Sequence, residues 1–222
     1  MTKLIDLGFL KGIIMETIVT TYNVDGLPNA APMGVTTKNT QRIIIKPYTS
    51  TLTYENLRLK RCAVINLTSN PELYYRTAFK EANPKSIMPQ SSFEKAETID
   101  APKLRLADAH IEVVVVDISA LETERAKVIC QVKLIKAPKV LPSVYCRASS
   151  AIIEAVIHAT RVKTFIRHTD RQKRKHALKL LERIKECNDI VNRVAPNSRY
   201  SEIMMDLIEI IDLWRTESES LR

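Results

Sequence analysis

The sequence predicts an α+β chain, a six-stranded antiparallel β-barrel over residues 1–140 followed by a three-helix subdomain over residues 141–222. Three observations carry this. Six short segments of the first part are rich in β-branched residues and are punctuated by turn signals. In the last part, apolar residues recur instead at steps of three or four. The pattern changes close to Pro138 and Pro142, so the two halves read as separate units.

The first strand is Ile13–Asn23, ended by Val24-Asp25-Gly26, a hairpin turn signal. Leu27–Thr37 follows, and its Pro28 and Pro32 belong at a strand start, an edge or a bulge. Gln41–Lys46 is a short third strand stopped by Pro47. Thr51–Arg61 suits a short helix capped by hydroxyl residues. Cys62–Leu67 is the fourth strand, Asn70–Lys80 fits a helix, and residues 81–107 read as a long polar loop with three prolines, Pro84, Pro89 and Pro102. Ala109–Ile118 and Ala126–Lys136 close the barrel as a hairpin pair.

Ser149–Ile166 is apolar on more than one face, which makes it the central helix of the second part. Thr169-x-x-Gln172 reads as a capping box. Ala177, Leu180, Leu181, Ile184, Cys187, Val191 and Val194 then form one stripe, broken at Pro196-Asn197. Ile203, Met204, Leu207, Ile208, Ile211 and Trp214 form another.

Composition excludes several chemistries. The 4 glycines are Gly8, Gly12, Gly26 and Gly34. That leaves no Walker A loop, no G-x-G-x-x-G fingerprint and no G-x-S-x-G elbow. The 4 cysteines are too scattered for a C-x-x-C motif, and Cys130 and Cys146 lie in apolar segments as small buried hydrophobes. The 4 histidines lack metal-ligand spacing, so no metal is expected, and His110 and His158 read as core or interface side chains. No residue stands out as a catalytic base. The first residues carry Asp6 and Glu16 and do not resemble a signal peptide, and no apolar run approaches the ~18 residues of a membrane span. A cytoplasmic protein without membrane partners is the expectation.

Three short segments are more polar than a barrel needs. Asn29-Ala30-Ala31-Pro32-Met33-Gly34-Val35 places a glycine and small residues inside a strand, either as a bulge or for close approach of a flat ligand. The bulge is the preferred reading of the segment alone. Lys46 to Leu57 packs Thr49, Ser50, Thr51 and Thr53 into a strand-to-helix turn. Free N–H groups at a helix start attract anions and hydroxyls add donors, so this is a phosphate site built without glycine. Capping accounts for one or two of the hydroxyls, not for four. In Val64-Ile65-Asn66-Leu67 an asparagine interrupts an apolar strand and needs a partner, backbone or ligand.

The string from Glu16 through Asp25-Gly26 and Pro28-Asn29 to Ala31-Pro32-Met33-Gly34-Val35 resembles the FMN-binding split β-barrel superfamily. More narrowly, it is similar to a mostly archaeal, flavin reductase-like branch with a C-terminal helical extension. Pro47-Tyr48 to Thr53-x-x-Asn56-Leu57 and Val64-x-Asn66 continue the likeness in order, and Ala148–Arg161 looks like the start of that extension. The resemblance implies a six-stranded antiparallel split β-barrel and a homodimer holding FMN at its interface. Within the flavin class the reaction stays open between an NAD(P)H:flavin reductase, an oxidase acting on a small molecule and a flavin carrier with no substrate pocket. It implies ring contacts from Ala31, Pro32, Met33, Gly34 and Val35, and phosphate contacts from Tyr48, Thr49, Ser50, Thr51 and Thr53. Asn56 and Asn66 would line or brace the pocket. Such sites often hold a basic residue on the phosphate, yet no Lys or Arg lies between Pro47 and Leu57, so Lys46 or Arg147 is the candidate. A compact anion site without a dinucleotide fingerprint also argues for FMN over FAD or NAD.

A rival function lies in residues 161–185, which carry 10 basic and 2 acidic side chains. Arg171, Lys173, Arg174 and Lys175 cluster there, and clustered cations bind nucleic acid backbones. The preferred reading is a solvated helix face balanced by the acidic stretch after Glu186. Few aromatics accompany the cations, so base stacking has little to use.

Overall fold

The computed structural model describes residues 2–9, 11, 14–39, 41–137 and 146–219. The junction near Pro138 and Pro142 lies outside the described residues, as do Gly12 and Ile13. The barrel strands are β1 (Met15–Tyr22), β2 (Pro28–Asn39), β3 (Arg42–Ile45), β4 (Cys62–Leu67), β7 (Ala109–Glu122) and β8 (Arg125–Lys136). They close in the order β1-β2-β3-β8-β7-β4, every pair antiparallel. Alternation along each strand turns Val19, Val35, Ile45, Ile65, Ile111 and Val128 inward, where each is fully buried together with Leu57 of helix α1 (Leu52–Lys60). Each such side chain stabilises the fold by about 1.5–3 kcal/mol relative to exposure.

β4 is buried on both faces, because a second layer lies outside the barrel. Two three-residue strands, β5 (Phe93–Lys95) and β6 (Pro102–Leu104), form a small hairpin within the segment read above as polar loop. Leu104 N–H donates to Asn66 Oδ1 at 2.8 Å, and Thr20 Oγ1 donates to the Pro102 carbonyl. The buried carboxylate of Glu112 accepts from Glu97 N–H and Thr98 N–H, each at 2.7 Å. Ala96 and Ala101 pack on Cys62 and Val64 beneath. Strands of three residues are too short to show a period. Their position is set by side chains on distant strands.

The helical unit contains α3 (Arg147–Phe165), α4 (Arg171–Val194) and α5 (Arg199–Glu219). It also takes in α2 (Pro71–Ala78), although that helix lies between β4 and β5 in the chain. α3 is central, packing against α2, α4 and α5 through Ala151, Ile152, Ala155, Val156 and Ala159. Arg199 ties α5 to α2 by an ion pair with Glu72 at 3.1 Å. The cap of α4 is Asp170, whose carboxylate accepts from Gln172 N–H at 2.7 Å, and not Thr169 as the capping-box spacing suggested. Asp170 is the cap because the helix begins at Arg171, which sets its carboxylate in Asx-turn reach of the second helical N–H and leaves Thr169 one residue too early. Cys146, expected to be buried, is half-buried just before α3, whereas Cys130 is core. No helix among the described residues is long and apolar enough to cross a membrane.

Candidate functional site

The turn from Lys46 to Thr51 leaves β3 and enters α1. It is stapled to the tip of the β7–β8 hairpin. Thr49 N–H donates to the Glu124 carbonyl at 2.9 Å, Ala126 N–H donates to the Pro47 carbonyl, and Tyr48 bridges to Arg125. Thr51 is the N-cap of α1: its hydroxyl accepts from Tyr54 N–H and donates to the Tyr48 carbonyl at 2.7 Å. The buried Thr53 hydroxyl accepts from Asn29 Nδ2 at 3.0 Å, and Asn56 Nδ2 donates to Thr21 Oγ1 at 2.9 Å. These two bonds lock the start of α1 onto β1 and β2. Thr49 and Ser50 remain exposed at the turn.

The four hydroxyls thus divide. Thr51 is committed to capping, Thr53 to the barrel and the Thr49 hydroxyl to the Glu124 carbonyl at 3.3 Å, while Ser50 makes no hydrogen bond among the described residues. Ordinary capping accounts for Thr51 alone. The first N–H groups of α1 point out of the helix start, where the helix dipole favours negative charge.

Of the basic candidates, Lys46 is exposed at the end of β3, and Arg147 is the exposed first residue of α3 in the helical unit. The cation that the fold brings to the turn is Arg125. Its Nη2 donates to the Tyr48 hydroxyl at 2.8 Å, and its guanidinium carbon lies 4.3 Å from the centroid of the Tyr48 ring. The sequence reading missed Arg125 because it pairs with a residue 77 positions away. The only local signal was a charged hairpin tip, Glu122-Thr123-Glu124-Arg125.

In β2, Ala31, Pro32 and Met33 are half-buried, Gly34 is exposed, and the Val35 side chain belongs to the core. The register from Met15↔Val35 to Tyr22↔Pro28 is unbroken, so no bulge sits at Gly34 and the preferred sequence reading of this segment is corrected. A Cβ at position 34 would stand 2.7 Å from Cγ2 of Ile14, which explains the glycine by close approach of a neighbouring side chain. Lys80, also unforeseen, donates to the Ala30 carbonyl of β2 at 3.0 Å, and burial of its ammonium pulls its pKa below the ordinary lysine value. Asn66 is fully engaged by protein: its amide donates to the Ile18 carbonyl and Thr20 Oγ1 and accepts from Leu104. Its role in this structure is to brace β1, β4 and β6.

Residues 15–139 match the family model described as "Protein of unknown function (DUF447) N-terminal domain", and residues 146–211 match "Protein of unknown function (DUF447)". The chain belongs to the DUF447 family. Among solved structures it is similar to the FMN-bound protein MM1853 from Methanosarcina mazei, also a DUF447 protein. Identity is 21% and the TM-score 0.70, over 93% of this chain and 98% of that chain. It is less similar to nitrilotriacetate monooxygenase component B from Bacillus cereus, with 18% identity and a TM-score of 0.49 over 60% of this chain and 75% of that one. For the 2-nitrobenzoate 2-nitroreductase NbaA of Pseudomonas fluorescens the values are 18% and 0.47, over 58% and 68%. No curated protein matches the sequence. The DUF447 likeness runs through both the barrel and the helices.

Proposed function

We propose that this DUF447 chain is an FMN-binding flavoprotein of the flavin reductase-like kind, acting as an oxidoreductase and as a homodimer. One observation carries the reading: the Asn29–Thr53 hydrogen bond joins the hydroxyl-rich start of α1 to the stretch of β2 that runs on to Gly34. An anion-attracting turn and a strand of small residues are therefore neighbours, as a flat ligand with a phosphate tail requires. The FMN-bound family member MM1853 supports the same choice of cofactor.

In this reading Ser50 and the outward N–H groups at the start of α1 take the phosphate, the Thr49 hydroxyl turns to it from the Glu124 carbonyl, and Arg125 supplies positive charge. Tyr48 holds Arg125 in place through its hydroxyl and ring. The open edge of the β2 segment from Ala31 to Val35 would lie against the ring, and Asn56 and Asn66 keep the surrounding strands in register. Bound FMN would supply the two-electron redox chemistry, while the protein binds and orients it and excludes water. NAD(P)H is the reductant class proposed.

The nucleic-acid reading loses support in the helices themselves. Arg174 donates to the carbonyls of His168 and Thr169 at 2.6 and 2.7 Å, and Lys173 contacts His168. Two of the four clustered cations thus organise the α3–α4 turn. Their partners are local, not the acidic stretch after Glu186.

The deciding experiment is the absorption spectrum of purified protein after incubation with FMN and desalting. Bands at about 370 and about 450 nm, and FMN rather than FAD on acid extraction, are expected. A colourless protein that retains no flavin refutes the proposal. Light scattering giving a monomer mass at micromolar concentration refutes the dimer.

A further inference from the structure

Lys80 opens the 3-10 turn Lys80–Ala82 that follows α2. Its side chain is half-buried and its ammonium donates to the Ala30 carbonyl at 3.0 Å. Among the described residues no carboxylate pairs with it. Burial pulls its pKa down, as expected where an ammonium loses water without gaining a counter-ion. A desolvated cation of this kind is costly, and an anion placed beside it would offset that cost.

The strand edge it meets is open. β2 pairs with β1 over Pro28–Val35, but its pairing with β3 begins only at Val35. Backbone groups alternate in an antiparallel ladder, residue by residue, between one neighbour and the other. Because the Ala30 carbonyl faces Lys80, the backbones of Pro28, Ala30, Pro32 and Gly34 face away from β1. Both prolines fall in this set, so their missing N–H groups disturb no ladder. The edge then offers the Ala30 N–H, the Pro32 carbonyl and the Gly34 N–H, while the Gly34 carbonyl belongs to the start of the β3 ladder. Donors and acceptors along such an edge suit a flat heterocycle whose rim carries both.

We propose that Lys80 is the cation that holds the negative charge of reduced FMN at the open edge of β2, so that the site binds reduced flavin more tightly than oxidised flavin. The proposal rests on the FMN reading above. An added reductant, dithionite or a reduced nicotinamide, delivers two electrons, and one proton is taken up. The neutral oxidised ring becomes an anion whose charge lies on the pyrimidine N1 and C2 carbonyl. A cation beside that edge favours the product of reduction. Arg125, at the turn, faces a phosphate whose charge is the same in both redox states. The two cations therefore have separable effects.

The test compares wild type with Lys80→Met and Lys80→Gln, which remove the charge, and Lys80→Arg, which keeps it. Oxidised FMN affinity is measured by fluorescence and the two-electron midpoint potential by anaerobic dye-coupled titration. Removing the charge is expected to weaken reduced FMN about tenfold while changing oxidised FMN less than twofold. Tenfold corresponds to a potential about 30 mV lower for a two-electron couple. Lys80→Arg is expected to restore most of the difference. An unchanged potential in a flavin-loaded Lys80→Met or Lys80→Gln overturns this proposal alone. Equal weakening of both redox forms also overturns it, since that is the behaviour of a phosphate contact. Wild-type protein that takes up no FMN overturns this proposal together with the reading beneath it.

Discussion

Arg125 lies over the ring of Tyr48 at 4.3 Å and donates to its hydroxyl at 2.8 Å, so one guanidinium is fixed by both the face and the tip of one aromatic side chain. The pair joins the β7–β8 hairpin tip to the turn before α1. A charge held in this way loses little freedom when it meets an anion, which is the advantage of a preorganised contact.

Arg125→Ala is expected to weaken FMN about 10- to 100-fold, the range for one charge-assisted hydrogen bond of about 1.5–3 kcal/mol. Folding stability is expected to fall by only about 0.5–1 kcal/mol, the worth of an exposed cation–π contact. Fluorescence titration and a urea melt measure the two effects. An unchanged dissociation constant in the folded variant places the phosphate elsewhere.

The hydroxyls at the turn separate in the same way. Ser50→Ala, at an exposed and uncommitted side chain, is expected to weaken FMN with no loss of stability. Thr51→Ala is expected to destabilise by about 1 kcal/mol, because Thr51 is the cap. The double variant is expected to be folded and largely colourless. Full flavin occupancy after dialysis counts against this phosphate site.

Gly34→Ala is expected to destabilise the barrel by about 1–3 kcal/mol through overpacking against Ile14. Ile14→Ala in the same chain is expected to recover most of the loss, because Ile14 is itself exposed and contributes little. A double-mutant cycle with no coupling between the two positions contradicts the close approach.

His158 in α3 is 3% exposed, and its Nδ1 has no hydrogen-bond partner among the described residues. Burial is the main cause that depresses its pKa, with Arg183, Arg161 and His176 acting in the same direction and Glu154, whose carboxylate is 3.3 Å from Nε2, opposing them. The unfolded chain, where histidine titrates near about 6.5, then binds the proton at higher pH than the folded chain does. Stability contributed by neutral His158 is fully present above about pH 6.5 and is lost as pH falls through the lower folded value. Wild type is expected to lose more thermal stability than His158→Gln on acidification from about pH 7 to about pH 5. Parallel losses in the two proteins count against this.

The barrel strands were legible because β-branched runs and turn residues alternate clearly, and because Asn66 announced itself as a polar break in an apolar strand. The β5–β6 hairpin was not legible. It exists because Glu112 and Asn66, far away in the chain, accept its backbone N–H groups. The hydroxyl turn could be read locally as an anion site, but Arg125 and Lys80 reach the site region only through long-range pairing. Gly34 was visible as an oddity. Its cause, the side chain of Ile14 lying above it, depends on the register of two strands.

The membership of α2 in the helical unit has a consequence for synthesis on the ribosome. Leu73, Tyr74 and Tyr75 of α2 are buried, and α2 packs on α3, which begins about 70 residues later in the chain. At about 5–20 residues per second, α2 emerges several seconds before the helix that covers it. During that interval a leucine and two tyrosines remain without their partner while the barrel strands on either side are completed. Nascent chains of this protein therefore pass through a stage in which a chaperone has an apolar segment to hold, and chains stalled between α2 and α3 would be the form most prone to aggregate.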